Sequence, residues 1–176
     1  LGGSSSGNLV YVNTASEAEN VAKSLFESME KFEDSTHAED IANLQELIRT
    51  AVHPKYALAD CLERGVAFHY GNMPLAVRSE VERLFHTGAI RYLVCTSTLL
   101  EGVNLPCRNI FMRNPQKGRG NPITAADFWN LAGRAGRWGT EFQGNIVCID
   151  TDDDTIWPNL PTVRMRTPLQ RSVDKA

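Results

Sequence analysis

Two arginines stand three residues apart in Gly133-Arg134-Ala135-Gly136-Arg137, each directly after a glycine. On a helical turn, residues at i and i+3 share a face, so both guanidiniums can point the same way. The glycines leave room for another backbone or an anion to come close. Two planar, permanently charged forks aimed at one point suit a cluster of anionic oxygens, with phosphate the obvious candidate. A pair of solvated surface arginines would satisfy the same spacing, and a short motif alone does not separate the two. The cysteines carry a different message. Cys61, Cys95, Cys107 and Cys148 contain no C-x-x-C pair, and Cys95 and Cys148 sit inside apolar runs. They are expected to be buried free thiols in a reducing compartment, with no zinc site.

The elements that must position the arginines can be read from the pattern around them. Leu9–Val12 is a short apolar run after a glycine/serine stretch and predicts a first strand, ended by Asn13. Thr14-Ala-Ser-Glu17 is a capping box, and Ala18, Val21, Ala22, Leu25, Phe26 and Met29 follow at helical spacing. A polar helical insertion is expected over 33–53, with Ile41, Leu44, Leu47, Ile48 and Ala51 as its buried stripe and His53-Pro54 as its stop. A third helix over 54–64 stops at Gly65. Val66–Phe68 predicts a strand, His69–Asn72 a turn, and Pro74 the first position of a helix that Gly88 ends. Arg91–Cys95 and Asn109–Met112 predict two further strands. Thr124–Asp127 caps a helix that carries Phe128, Trp129 and Ala132 into the arginine stretch, and Gly144–Ile149 predicts a last strand, apolar on both faces.

Short, apolar, unalternating strands that alternate with helices predict an α/β fold, a mostly parallel sheet with helices on both faces. Ligands of such folds bind beyond the carboxyl ends of the strands. The polar loops Asn13–Thr14, His69–Asn72 and Thr96–Thr98 all fall on that edge.

At 176 residues the chain suits one domain, and 42% hydrophobic with 22% charged residues is ordinary globular composition. No apolar run approaches the ~20 residues that span a bilayer, and no secretory signal is present, so an intracellular, cytoplasmic protein without membrane contact is expected. The net charge of −3 argues against a freestanding basic nucleic-acid module. Local basic patches such as Arg108, Arg113, Lys117 and Arg119 can still track a phosphate backbone or simply be solvated.

Several stretches together resemble one family. Thr96-Ser-Thr-Leu-Leu-Glu-Gly102-Val-Asn104-Leu-Pro106 resembles helicase motif V, and Asn130 to Arg137 resembles motif VI. Their order is similar to that of the second, C-terminal RecA-like domain of a superfamily 2 helicase, nearer the DExH branch than the DEAD-box branch. Leu9–Asn13 stands where motif IV lies, and His69-Tyr-Gly71 with Arg78 resembles motif IVa. The resemblance implies that Arg134 and Arg137 reach the γ-phosphate of ATP as arginine fingers. Gly102, Asn104 and Asn130 would line the nucleotide, although Asn130 replaces the usual Gln or His. It implies that Thr96, Thr98 and the Gly71 N–H contact a nucleic-acid backbone, RNA or DNA, with Asn13 of the motif IV-like turn beside them. The implied cofactor is ATP with Mg²⁺, held mainly by an N-terminal RecA-like domain of the same protein.

The sequence contains no G-x-x-x-x-G-K-[ST] loop to cradle phosphates and no D-E-x-[DH] stretch to hold Mg²⁺. The chain alone is therefore expected to bind ATP weakly and hydrolyse none. The expected organisation is a linker over 1–7, the RecA-like domain over 8–150, and an irregular extension over 151–176, packed along the domain or leading to another. A non-catalytic RecA-like scaffold that has lost ATPase coupling is the alternative. A dinucleotide-binding domain is set aside, because the glycines at 133, 136 and 139 follow a helix rather than a strand.

Overall fold

Each strand is four residues long, and each owes its place to apolar side chains that no single face could hide. In the computed structural model, which describes residues 7–30, 36–97, 107–116, 120–132 and 144–157, these are β1 (Asn8–Tyr11), β2 (Val66–His69), β3 (Tyr92–Cys95), β4 (Asn109–Met112) and β5 (Asn145–Cys148). They form one all-parallel sheet in the order β2-β3-β1-β4-β5. The pairing is level: Tyr11 stands opposite both Cys95 and Met112, and His69 opposite Cys95. All the turns that leave the carboxyl ends therefore start from one edge.

Among the described residues the helices are α1 (Ala15–Ser28), α2 (Ala38–Ala51), α3 (Ala57–Cys61), α4 (Leu75–Thr87) and α5 (Ala125–Ala132). The capping box predicted for α1 is formed: Thr14 Oγ1 accepts from Glu17 N, and Glu17 Oε2 accepts from the Thr14 and Asn13 amides. The third helix is shorter than its pattern suggested, because a 3-10 turn over Leu62–Arg64 tightens its end. Gly65 then takes a left-handed φ of 67°, as Gly88 does after α4 at 89°. Pro74 sits one residue earlier than expected, at the N-cap of α4, where its missing N–H costs nothing. On α2, Leu44 and Ile48 are buried, but Ala51, at the end of the expected stripe, is exposed.

α1 packs across β2 and β3, while α4 meets β2 and α2. The core runs through Leu9, Phe68, Leu93, Val94 and Ile110, all buried. β5, expected to be apolar on both faces, carries its apolar residues only partly covered. Among the described residues it is an edge strand paired with β4 alone, and Val147 and the following Ile149 are 37% and 42% exposed. Alongside that open strip, Asn8, Asn109 and Asn145 stand level on β1, β4 and β5 and hydrogen-bond in series through their amides.

Arg64 locks α1 to the β2 edge. Its guanidinium donates to the Phe26 and Met29 carbonyls at the end of α1, and it lies 4.3 Å over the Phe26 ring. A cation at a helix C-terminus satisfies carbonyls that have no helical partner. We expect Arg64→Ala to cost about 2–3 kcal/mol, the loss of charged hydrogen bonds to those carbonyls. The urea unfolding midpoint measures it, and an unchanged midpoint contradicts the role. After β5 the chain turns back, and the buried Trp157 donates its indole N–H to the Ile149 carbonyl at 2.8 Å. The extension thus begins packed against the domain.

Candidate functional site

At the carboxyl edge, the turns after β1, β2, β3 and β4 lie side by side because their strands end level. Asn13 closes β1. Its Nδ2 donates to the Asn114 carbonyl at 3.0 Å, and its Oδ1 accepts from Gln116 N at 2.8 Å. The turn after β1 thus holds the loop after β4, and one amide hydrogen of Asn13 is committed there. After β1 the chain crosses toward β2, and after β4 it crosses toward β5, so the strand order reverses here. A cavity of about 500 Å³ lies at this reversal, bounded by Val10, Asn13, Val21, Phe111, Arg113 and Ile149. Arg113, one of its lining residues, is paired with Asp150.

The turn after β2 is gripped from both faces of the sheet. Successive side chains alternate, so His69 points to the α4 side and Tyr70 to the α1 and α3 side. His69 is 2% exposed, and its Nε2 lies 2.8 Å from Glu82 Oε1 on α4. Facing a carboxylate, Nε2 carries the hydrogen, and the buried Nδ1 is left without a partner. Burial holds the imidazole below its ordinary range, with the Glu82 hydrogen bond and charge pulling the other way. Arg78, one turn before Glu82 on α4, donates to the Gly71 carbonyl at 3.2 Å. Thr96 follows β3, and its N–H donates to the His69 carbonyl at 3.3 Å. Its side chain is nearly covered, with the residue 7% exposed.

A folded-state histidine with a depressed affinity for protons favours folding above its unfolded pKa, and this contribution is lost as pH falls. Stability should therefore drop as pH is lowered from about 7.5 to about 5.5. The drop should shrink in His69→Gln. Urea midpoints at the two pH values measure it, and an equal drop in the variant contradicts the role given to His69.

α5 leads to the arginine stretch. Thr124 Oγ1 accepts from Asp127 N and donates to Asp127 Oδ2, which fixes the helix start. Phe128 and Leu131 bury one face, and Asn130 is exposed on the last turn. Gly102, Asn104, Thr98, Arg134 and Arg137 lie outside the described residues, as do Lys117, Arg119 and Trp138. The described part of the site thus brings together Asn13, Gly71 and Thr96 on one edge, and places Asn130 at the end of α5. Sequence reasoning did not single out Glu82, Glu19, Tyr56 or Tyr70, which hold the turn after β2. The available signal was the helical spacing of Arg78 and Glu82, which puts both on one face of α4. Among the described residues no cluster of His, Cys, Asp or Glu could hold a metal ion. No helix there is long and apolar enough to cross a membrane.

The chain matches the family model of the helicase conserved C-terminal domain over residues 42–139. It is 32% identical over 152 residues to the ATP-dependent DNA helicase Hel308 of Methanocella arvoryzae, covering 83% of this chain and 20% of the relative. It is 38% identical over 89 residues to the antiviral helicase SKI2 of Saccharomyces cerevisiae, covering 49% of this chain and 7% of the relative. It is 30% identical over 117 residues to the Hachiman protein HamB of Bacillus cereus, covering 65% of this chain and 10% of the relative. The chain spans about a fifth of the length of the Hel308 relative and less of the others.

Proposed function

Since the chain belongs to the helicase conserved C-terminal domain family, we propose that it is the second RecA-like domain of an ATP-dependent nucleic-acid helicase or translocase. In this reading a preceding RecA-like domain holds ATP and Mg²⁺. Arg134 and Arg137 reach across the interface to the γ-phosphate, with Gly102, Asn104 and Asn130 lining the nucleotide. Closure of the two domains around ATP moves or separates strands. The chain's own residues do two jobs: they stabilise transition-state charge on a phosphoryl group, and they seat a sugar–phosphate backbone.

One observation carries the reading. The turns that bear Asn13, Gly71 and Thr96 are drawn onto a single edge of a parallel sheet by level strands, in a chain whose family match runs through the motif V- and VI-like stretches. Backbone amides and short polar side chains at such an edge suit phosphate oxygens and position a strand without reading its bases. Thr96 opens the segment after β3, with Gly71 on the neighbouring turn, and Thr98 follows two residues later in the sequence.

A binding titration tests the backbone contacts. Affinity for single strands of mixed sequence should fall as salt rises and should not depend on base order. Salt-insensitive binding, or strong preference for one sequence, contradicts them. The partners are a nucleic acid, RNA or DNA, and an N-terminal RecA-like domain of the same protein.

A further inference from the structure

The turn His69-Tyr70-Gly71 is held more tightly than its length requires, and by side chains that lie far away in sequence. Tyr70 OH donates to Glu19 Oε1 on α1 at 2.7 Å. Tyr56, the N-cap residue just before α3, has its hydroxyl 2.5 Å from the same Tyr70 oxygen. A carboxylate only accepts, so the one Tyr70 hydrogen goes to Glu19, and Tyr56 must donate to Tyr70. The three groups thus form a directed chain: Tyr56 to Tyr70 to Glu19. Burial pushes the phenols of both Tyr56 and Tyr70 above their ordinary range, so both stay protonated.

The rings add stiffness. Tyr70 stacks parallel to the fully buried Phe68 at 6.0 Å, and Tyr56 meets the same Phe68 ring edge-on at 5.5 Å. Glu19 itself sits on α1 two residues beyond Glu17, whose carboxylate closes the cap over Asn13 and Thr14. A path of hydrogen bonds and one helix turn therefore joins the turn after β1 to the turn after β2. On the opposite face, Arg78 and Glu82 hold Gly71 and His69 from α4.

We propose that Glu19, Tyr56 and Tyr70 are positioning residues that fix the Tyr70–Gly71 peptide, so that the Gly71 N–H is presented to a nucleic-acid phosphate in line with the turn after β1. This rests on the reading of Gly71 as a backbone contact. A preset N–H loses little entropy when it meets a phosphate, so removing the hydroxyl that presets it weakens binding without touching the ligand.

The experiment uses the full-length protein and a fluorescein-labelled single strand of mixed sequence, in DNA and RNA forms. Tyr70→Phe keeps the ring on Phe68 and removes both hydrogen bonds. Its dissociation constant, and the strand concentration that half-stimulates ATP turnover, should each rise about three- to tenfold, with maximal turnover retained. Glu19→Ala should do the same, and Glu19→Gln, whose amide oxygen still accepts the Tyr70 hydrogen, should restore most of the affinity. Gly71→Asp, which sets a negative charge at the turn, reports on the underlying reading. If Gly71→Asp weakens binding and Tyr70→Phe does not, the positioning role is overturned while the contact stands. If neither variant changes affinity, the contact itself is overturned, and the proposal with it. A fall in maximal turnover and melting temperature together with affinity in Tyr70→Phe would mark a structural role only and would also overturn it.

Discussion

Arg137→Ala in the full-length protein should lower nucleic-acid-stimulated ATP turnover by about 10³–10⁵-fold, on the order of 4–7 kcal/mol of transition-state stabilisation. The size follows from the chemistry. Charge spreads over the γ-phosphoryl oxygens as the bond to the leaving group lengthens, and a fixed guanidinium stabilises that state more than bound ATP. Lysine is a poor substitute because a point charge on a flexible stem lacks the planar fork. Arg137→Lys should therefore recover little. Arg134→Ala should fall in the same direction, and the double variant should fall less than the two single effects combined, since both act on one phosphate. Turnover measured at saturating strand and ATP decides it. A variant within about twofold of the parent would remove Arg137 from the chemistry and favour a RecA-like scaffold that no longer couples to ATP.

The second large effect concerns the fold that carries the site. Phe68 is fully buried on β2, with the rings of Tyr56 and Tyr70 against it. Phe68→Ala should cost about 3–5 kcal/mol, because it removes apolar contact and leaves a cavity that a close-packed sheet cannot fill. That is a large share of the ~5–15 kcal/mol that holds a typical domain together. The thermal midpoint should fall by about 10 °C or more. The same variant frees the two tyrosines, so strand affinity should weaken even at temperatures where the protein remains folded. Phe68→Leu keeps most of the volume and should cost far less in both respects. A midpoint unchanged in Phe68→Ala would contradict the packing described for β2.

Much of the fold was legible in the sequence because its signals are local. The α1 cap needs only Thr14 and Glu17, three residues apart, and both bonds of the box are made. Gly65 and Gly88 mark helix ends because the left-handed turn there favours a residue without a Cβ. The strands read correctly as apolar runs, and the parallel sheet follows from their alternation with helices. Strand order is different. Nothing in the run Asn145–Cys148 says that, among the described residues, it pairs on one side alone, so the exposure of Val147 and of the following Ile149 emerges from the topology.

The edge that gathers the candidate site residues was legible for a general reason: in a parallel sheet, the turns at the carboxyl ends gather wherever the strands end level. Asn13, Gly71 and Thr96 could be placed there from the strands alone. What held those turns was not legible. The Tyr70 and Glu19 partners are 51 residues apart, and Asn13 and Gln116 are 103 apart. Such pairs are made by packing α1 and the β4 loop onto the sheet, and no short-range pattern encodes them. The arginine stretch lies outside the described residues, so its role rests on residue types, spacing and family membership.

Turnover of ATP with and without a single strand, measured side by side for the full-length protein and for this 176-residue chain, tests the central claim most directly. The account predicts that the full-length protein hydrolyses ATP and does so faster when the strand is present, while this chain hydrolyses none under either condition. Turnover by this chain alone, or full-length turnover that ignores the strand, would contradict it.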